Sequence, residues 1–291
     1  MQYLVFDIGG TTIKEALVVD GEIQDRKTAS TPDSYEELVT HLRLSQKKSG
    51  ADAVCMLVPG VYDKVRDQIL MAPNISYLAG KRPQAGFNFS VPLLIENDAN
   101  MAAFGEYHYG FEEKPSSLIF LTVGTGIGGG FVTEGKLFTG NITNFEPGHI
   151  TLTENGRLCA CGRKGCFERY VSVRGIVENY EERSGSSRSF TDIVKLAREG
   201  EESALEAFSS FAKSFAHGLA SLINLYAPEQ VRVGGGLSEL GDLYFKRMRA
   251  LARKYTFPAF SGITEIELSA LKNDAALLGA AKWAELTLGK R

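Results

Sequence analysis

No block of five or six like charges occurs in the 291 residues, and the formal net charge is only −3. Charge so evenly mixed excludes a nucleic-acid or anionic-membrane surface as the main partner. Apolar runs are no longer than a strand, so no segment reads as a bilayer span. The opening residues, Met1-Gln2-Tyr3-Leu4-Val5-Phe6-Asp7, have no basic leader and meet an acid too early for a secretory signal; the expected location is the cytoplasm. No low-complexity linker interrupts the chain, whose length predicts about two domains of roughly 150 residues each. Cysteine is scarce, yet Cys159, Cys161 and Cys166 crowd into one short segment. Without an export signal, such crowding reads as metal binding or redox chemistry before disulfides. Cys55, inside Ala53-Val54-Cys55-Met56-Leu57-Val58, reads as core.

A weak internal repeat organises the chain. Leu4-Val5-Phe6 leads into Gly9-Gly10-Thr11, and Leu118-Ile119-Phe120 leads into Val123-Gly124-Thr125. Each turn is followed by an apolar strand, Ala16-Leu17-Val18-Val19 or Gly130-Phe131-Val132-Thr133. Each strand ends at an acidic-Gly hairpin signal, Asp20-Gly21 or Glu134-Gly135. The pattern predicts a duplicated strand–turn–strand core. Between the copies the spacing predicts an amphipathic helix over 35–49, a strand over 53–58 and a helix from Asn100. Later, Leu205, Phe208, Phe211, Phe215, Leu219, Leu222 and Tyr226 recur at helical spacing up to Pro228. A last helix starts near Asp274 and carries Ala275, Ala276, Gly279, Ala280 and Ala281, small enough for close packing.

Three glycine turns follow strands: Asp7-Ile8-Gly9-Gly10-Thr11-Thr12, the run from Gly124-Thr125-Gly126 to Gly130, and Gly234-Gly235-Gly236. Such turns present bare backbone N–H groups to phosphate oxygens. The hydroxyls of Thr11, Thr12 and Thr125 can add hydrogen bonds, and Asp7 is placed to hold Mg²⁺ through water. No Gly-Lys-Ser/Thr run completes a P-loop. Gly124 to Gly129 satisfies the dinucleotide spacing, but that fingerprint must open a helix, and here a strand and hairpin follow.

Leu93-Leu94-Ile95-Glu96-Asn97-Asp98 reads as a buried strand ending in polar residues. Asp98 could accept a proton from an attacking hydroxyl, as phosphoryl transfer to an alcohol requires. On spacing alone it could equally cap the following helix, with Asn97 in a turn. Further on, Glu146-Pro147-Gly148-His149 precedes Cys159-Ala160-Cys161-Gly162-Arg163-Lys164-Gly165-Cys166-Phe167-Glu168. Three thiolates and one imidazole complete a tetrahedral zinc set, with Gly162 and Gly165 allowing the loop to fold tightly.

At these residues the sequence resembles the ROK family of repressors, open reading frames and sugar kinases, within the hexokinase–actin–Hsp70 superfamily. The resemblance covers essentially the whole chain. Residues 7–14 look like the first phosphate motif, 96–100 the catalytic segment, 123–130 the second phosphate motif, and 233–238 the adenosine-side turn. Glu146 to His149 and Cys159 to Glu168 match the E-x-G-H and C-x-C-G-x-x-G-C-x-E signatures.

The resemblance implies an α/β, two-domain actin-like ATPase (ribonuclease H-like) fold. It divides at 1–115 and 116–271, with a helix at 272–291 packing back on the first domain. It implies an ATP-dependent kinase acting on a hexose or hexose derivative, with Asp98 as general base. Gly60, Asn97, Asp98, Glu146, His149 and Glu168 would bind the sugar. Asp7, Gly9, Gly10, Thr11, Thr12, Gly124, Thr125, Gly126, Gly234, Gly235 and Gly236 would bind ATP and Mg²⁺. His149, Cys159, Cys161 and Cys166 would bind Zn²⁺. A homodimer is the implied assembly. Many members carry Lys directly after the D-x-G-G-T core, where this chain has Thr12, so a phosphate contact from that lysine is not expected here and Lys14 is not assigned to replace it. Zinc on one nitrogen of His149 would leave the other for a sugar hydroxyl, shaping the acceptor site without touching the phosphate. Repressors of the family carry a helix-turn-helix before the first phosphate motif; here that motif begins at Asp7, so the kinase reading is preferred.

Overall fold

The structure is a computed structural model describing every residue except Asn141, Thr143, Asn144, Ser261, Lys290 and Arg291. The last two end the expected 272–291 segment and lie outside the described residues. Along the chain run β1 (Gln2–Ile8), β2 (Thr12–Val19), β3 (Glu22–Ser30), α1 (Tyr35–Ser49), β4 (Ala53–Val58), β5 (Val61–Asp63), β6 (Gln68–Met71), α2 (Pro83–Phe87), β7 (Leu93–Asn97) and α3 (Asp98–Tyr109). Then come β8 (Ser117–Val123), β9 (Ile127–Thr133), β10 (Lys136–Leu137), α4 (Val173–Ser184), α5 (Phe190–Arg198), α6 (Glu202–Tyr226), β11 (Gln230–Gly234), α7 (Gly241–Tyr255), β12 (Glu265–Leu268) and α8 (Ala275–Leu288). No described helix is long and apolar enough to cross a membrane.

The repeat seen in the sequence is a repeat of topology. One sheet has the order β3-β2-β1-β4-β7 and the other β10-β9-β8-β11-β12. In the first, β1 is antiparallel to β2 and parallel to β4. In the second, β11 runs parallel to both β8 and β12. The two acidic-Gly signals form the same turn. Asp20 and Gly21 have φ of 51° and 83°, and Glu134 and Gly135 have 50° and 72°. Positive φ at both central residues is the two-residue hairpin geometry that suits twisted strands.

Two compact units result: Met1–Lys114, Gly130–Phe145 and Ala270–Arg291 form unit 1; Pro115–Gly129 and Glu146–Ser269 form unit 2. In unit 1, β4 is an interior strand buried along its whole length, which is why its sequence is continuously apolar. α1 begins at Ser34, whose side chain accepts from Glu37 N, and ends at Gly50 in the left-handed region. Leu38 and Leu42 of α1 join Phe6, Met56 and Val58 in the core.

α3 and α8 meet at glycines. A Cβ on Gly105 would collide with Ala275 O, and one on Gly279 with Met101 O. The small residues of the last helix therefore serve backbone-close packing. Asp274 stands at its N-cap position without a capping bond; its carboxylate instead accepts from Arg26 Nη2 at 2.6 Å. In unit 2, α6 buries Phe208, Phe211, Phe215, Leu219 and Leu222. The two ends of its apolar series differ, with Leu205 45% and Tyr226 36% exposed.

Candidate active site

The expected site residues fall into a set in each unit. In unit 1, the turn after β1 closes on itself: Gly9 N donates to Thr12 O at 2.9 Å, and Thr31 Oγ1 donates to Gly9 O at 2.6 Å. Gly10, Thr11 and Thr12 are left exposed. Antiparallel register places Lys14 opposite Asp7, and its Nζ lies 3.3 Å from Asp7 Oδ2. The cation beside this turn is thus Lys14, two positions beyond Thr12.

The residues of unit 1 expected on the acceptor side are tied together. Asn97 Oδ1 accepts from Asn100 N at 3.0 Å, so Asn97 and not Asp98 caps α3. Asn97 Nδ2 donates to Gly60 O at 3.1 Å. Asp98 is the first helical residue, with Oδ1 accepting from Ala99 N.

Beneath them lies Glu96, fully buried and not singled out from sequence as a site residue. Its Oε1 accepts from Asn97 N at 2.9 Å and Asn100 Nδ2 at 3.0 Å, while Lys64 Nζ lies 2.6 Å from Oε2. A buried carboxylate is tolerable only with such pairing. The visible sign was an acid closing an otherwise apolar strand; Lys64 gave none.

In unit 2, His149, Cys159, Cys161 and Cys166 bring their donor atoms within 4.8 Å of one another. Cys161 Sγ lies 3.6 Å from Cys166 Sγ, and Cys159 Sγ lies 3.8 Å from His149 Nδ1. A tetrahedron with Zn–S bonds of about 2.3 Å has edges of about 3.8 Å, so the donor set fits zinc. Burial, then the neighbouring thiols, push Cys166 up to about 12; a divalent cation relieves that crowding of groups that resist ionising together. Gly162 and Gly165 have φ of 86° and 77°, as the tight loop needs.

Around this cluster, Arg169 is buried and donates from Nε to Leu158 O at 2.7 Å and from Nη2 to Glu178 at 2.6 Å. Arg157 donates to Asn179 and Glu182. These ties pin the loop to α4, and their partners are too far apart in sequence to show a pattern.

Glu146 and Glu168 flank His149. Although Glu146 is exposed, surrounding protein raises its carboxyl above the usual range; His149 opposes this and Glu168 adds to it. The second glycine turn lies against the same residues. Gly124 N donates to Gly126 O at 2.9 Å, and Ile127 N donates to Glu168 Oε2 at 3.1 Å. The third turn joins it, since a Cβ on Gly235 would lie 2.6 Å from both Val123 N and Val123 O. β9 follows the second turn as a strand, which removes the dinucleotide-fingerprint reading. Through Glu168 and Ile127, the metal-bearing loop also meets the second glycine turn.

Comparisons with known proteins agree with this geometry. Residues 3–286 match the ROK family. The glucokinase of Streptomyces coelicolor is 30% identical, with 94% of this chain and 95% of that protein covered. A xylose repressor of Caldicellulosiruptor bescii is 32% identical, with 80% of this chain and 62% of the repressor covered. The structure of a ROK family glucokinase from Streptomyces griseus in complex with glucose and AMPPNP superposes with a TM-score of 0.84 at 30% identity, covering 98% of this chain and 100% of that one. On its sequence motifs, its duplicated actin-like α/β fold and these matches, the chain belongs to the ROK family.

Proposed function

We propose that this chain transfers the γ-phosphoryl group of ATP to a hydroxyl of a hexose or hexose derivative, the 6-hydroxyl in a glucose-like acceptor. The observation that carries the reading is Asp98, a carboxylate at the end of a buried strand, fixed by the Asn97 cap and the Glu96 ties below it. Asp98 accepts the proton of the attacking hydroxyl; that oxygen forms the new O–P bond while the bond between the γ-phosphorus and the β,γ-bridging oxygen breaks and ADP leaves. Gly60, Asn97, Glu146, His149 and Glu168 orient the sugar, and the turns at Gly9 to Thr12, Gly124 to Gly126 and Gly234 to Gly236 hold the nucleotide. Asp7 would hold Mg²⁺, which would supply charge neutralisation on the phosphates. Cys159, Cys161, Cys166 and His149 would hold zinc, and since His149 Nδ1 faces the thiols, Nε2 would be the nitrogen left for a sugar hydroxyl.

Glucose heads the candidate acceptors because the Streptomyces relatives are glucokinases; N-acetylmannosamine, β-glucosides and fructose follow. A coupled ADP-release assay across these sugars tests the reading, with turnover on at least one expected. Sugar binding without ADP release on any would favour the regulator reading that the xylose repressor relative represents.

A further inference from the structure

The peptide joining Gly126 to Ile127 is fixed at both ends. Its carbonyl, Gly126 O, accepts from Gly124 N at 2.9 Å, which closes the second phosphate turn. Its N–H, on Ile127, donates to Glu168 Oε2 at 3.1 Å. The fit leaves no slack, because a Cβ on Gly126 would collide with that same carboxylate oxygen. From the other side, a Cβ on Gly148 would lie 2.6 Å from Ile127 O and 3.5 Å from Glu168 Cβ. A third tie comes from the start of α4, where Val173 N donates to Gly124 O at 2.8 Å. Of these ties, only Glu168 acts through a side chain. It lies just beyond the last cysteine of the metal loop.

We propose that Glu168 is a positioning residue for the nucleotide: its carboxylate locks the Gly126–Ile127 peptide plane and so shapes the turn that receives phosphate. The proposal rests on the kinase reading above and extends it. There Glu168 is only a sugar ligand; here one carboxylate governs the affinity for both substrates. With the carboxylate gone, the peptide can rotate, and the turn's N–H groups lose their common aim. The lock needs an acceptor oxygen but no charge. A negative charge beside a phosphate site in fact opposes nucleotide binding. A glutamine whose amide oxygen takes the Ile127 N–H therefore keeps the turn while presenting the sugar with a donor in place of an acceptor.

The test is calorimetric titration of zinc-loaded protein with Mg·ADP in the absence of sugar, and separately with glucose. Glu168→Ala is expected to weaken Mg·ADP binding about tenfold to a hundredfold, as leaving the buried Ile127 N–H without its acceptor does. Glu168→Gln should bind Mg·ADP within about twofold of wild type, and both variants should lose glucose affinity. Gly126→Ala, which displaces the carboxylate while leaving Glu168 in place, should weaken Mg·ADP like Glu168→Ala. Wild-type Mg·ADP affinity in Glu168→Ala, with unchanged zinc content and melting temperature, overturns the proposal. Should that variant not fold, wild-type affinity in Gly126→Ala overturns it instead. Failure of the wild-type protein to bind Mg·ADP at all would remove the kinase reading and this proposal with it.

Discussion

Asp98 sits in a frame built by its sequence neighbours. Asn97 caps the helix that carries it, and Glu96 grips Asn97 N and Asn100 Nδ2 from below. Asp98→Asn keeps the shape and removes the proposed base, so kcat should fall by about 10² or more with little change in sugar KM. Steady-state kinetics at saturating ATP decide it, and near-normal turnover would remove Asp98 as the base. A second titratable group, His108, has no part in the chemistry but marks unit 1. Its ring packs against Phe104 at 4.4 Å between centroids, and neither ring nitrogen has a hydrogen-bond partner among the described residues. Burial first, then Lys114 and Lys282, with Glu285 opposing, hold it down at about 4. A histidine depressed in the folded state binds its proton more readily when unfolded. It therefore contributes stability that is complete above pH about 6.5 and is lost as pH falls towards 4, up to about 3 kcal/mol. Melting temperature against pH should fall less steeply over that window in His108→Leu than in wild type.

Among elements, the metal loop and the α3–α8 pair make the strongest demands. Elemental analysis should find about one zinc per chain, as a Cys₃His set requires. Cys161→Ala should lose the metal and raise the sugar KM, because His149 and Glu168 lose their support. The contacts of Glu168 with Ile127 and of Gly148 with the same residue extend the damage to nucleotide affinity. A metal-free protein with normal sugar KM would show that the loop needs no zinc. In the helix pair, Gly279→Ala places a methyl against Met101 O, and should cost about 1–3 kcal/mol or more, read as a lowered melting temperature with wild-type zinc content. Much of this was legible in the sequence. Apolar runs after glycine turns, each ending in an acidic-Gly signal, pointed to both hairpins, and the Cys₃His spacing to the cluster. The grip of Lys64 on Glu96, the bond from Ile127 to Glu168 and the Arg169 tie to Glu178 were not legible. Each joins side chains by three-dimensional proximity alone and leaves no period or motif behind. Asp98 was ambiguous for a related reason: a capping carboxylate and a proton-accepting one look alike in sequence, and only the structure gives the capping bond to Asn97.

At the scale of the molecule, one sheet order occurs twice along the chain, and unit 1 draws on three separate stretches of it. α8 packs on α3, β1 and β4, and Cys55 Sγ lies 3.5 Å from Ala280 O. A fragment of residues 1–114 would therefore leave the glycine face of α3 and one side of β4 bare. It should give poorly dispersed amide resonances, and added peptide 270–291 should sharpen them; a well-dispersed spectrum from the fragment alone would show that α8 is dispensable for folding.

The same discontinuity sets an order during synthesis. A ribosome releases all of unit 2 before it releases Ala275–Leu288, so the nascent chain holds strands β1, β2 and β4 for most of its translation without the helix that covers them. Translation speed and chaperone contact over that interval bear on unit 1 far more than on unit 2, and the last helix to be made is the one that closes the first strands to appear.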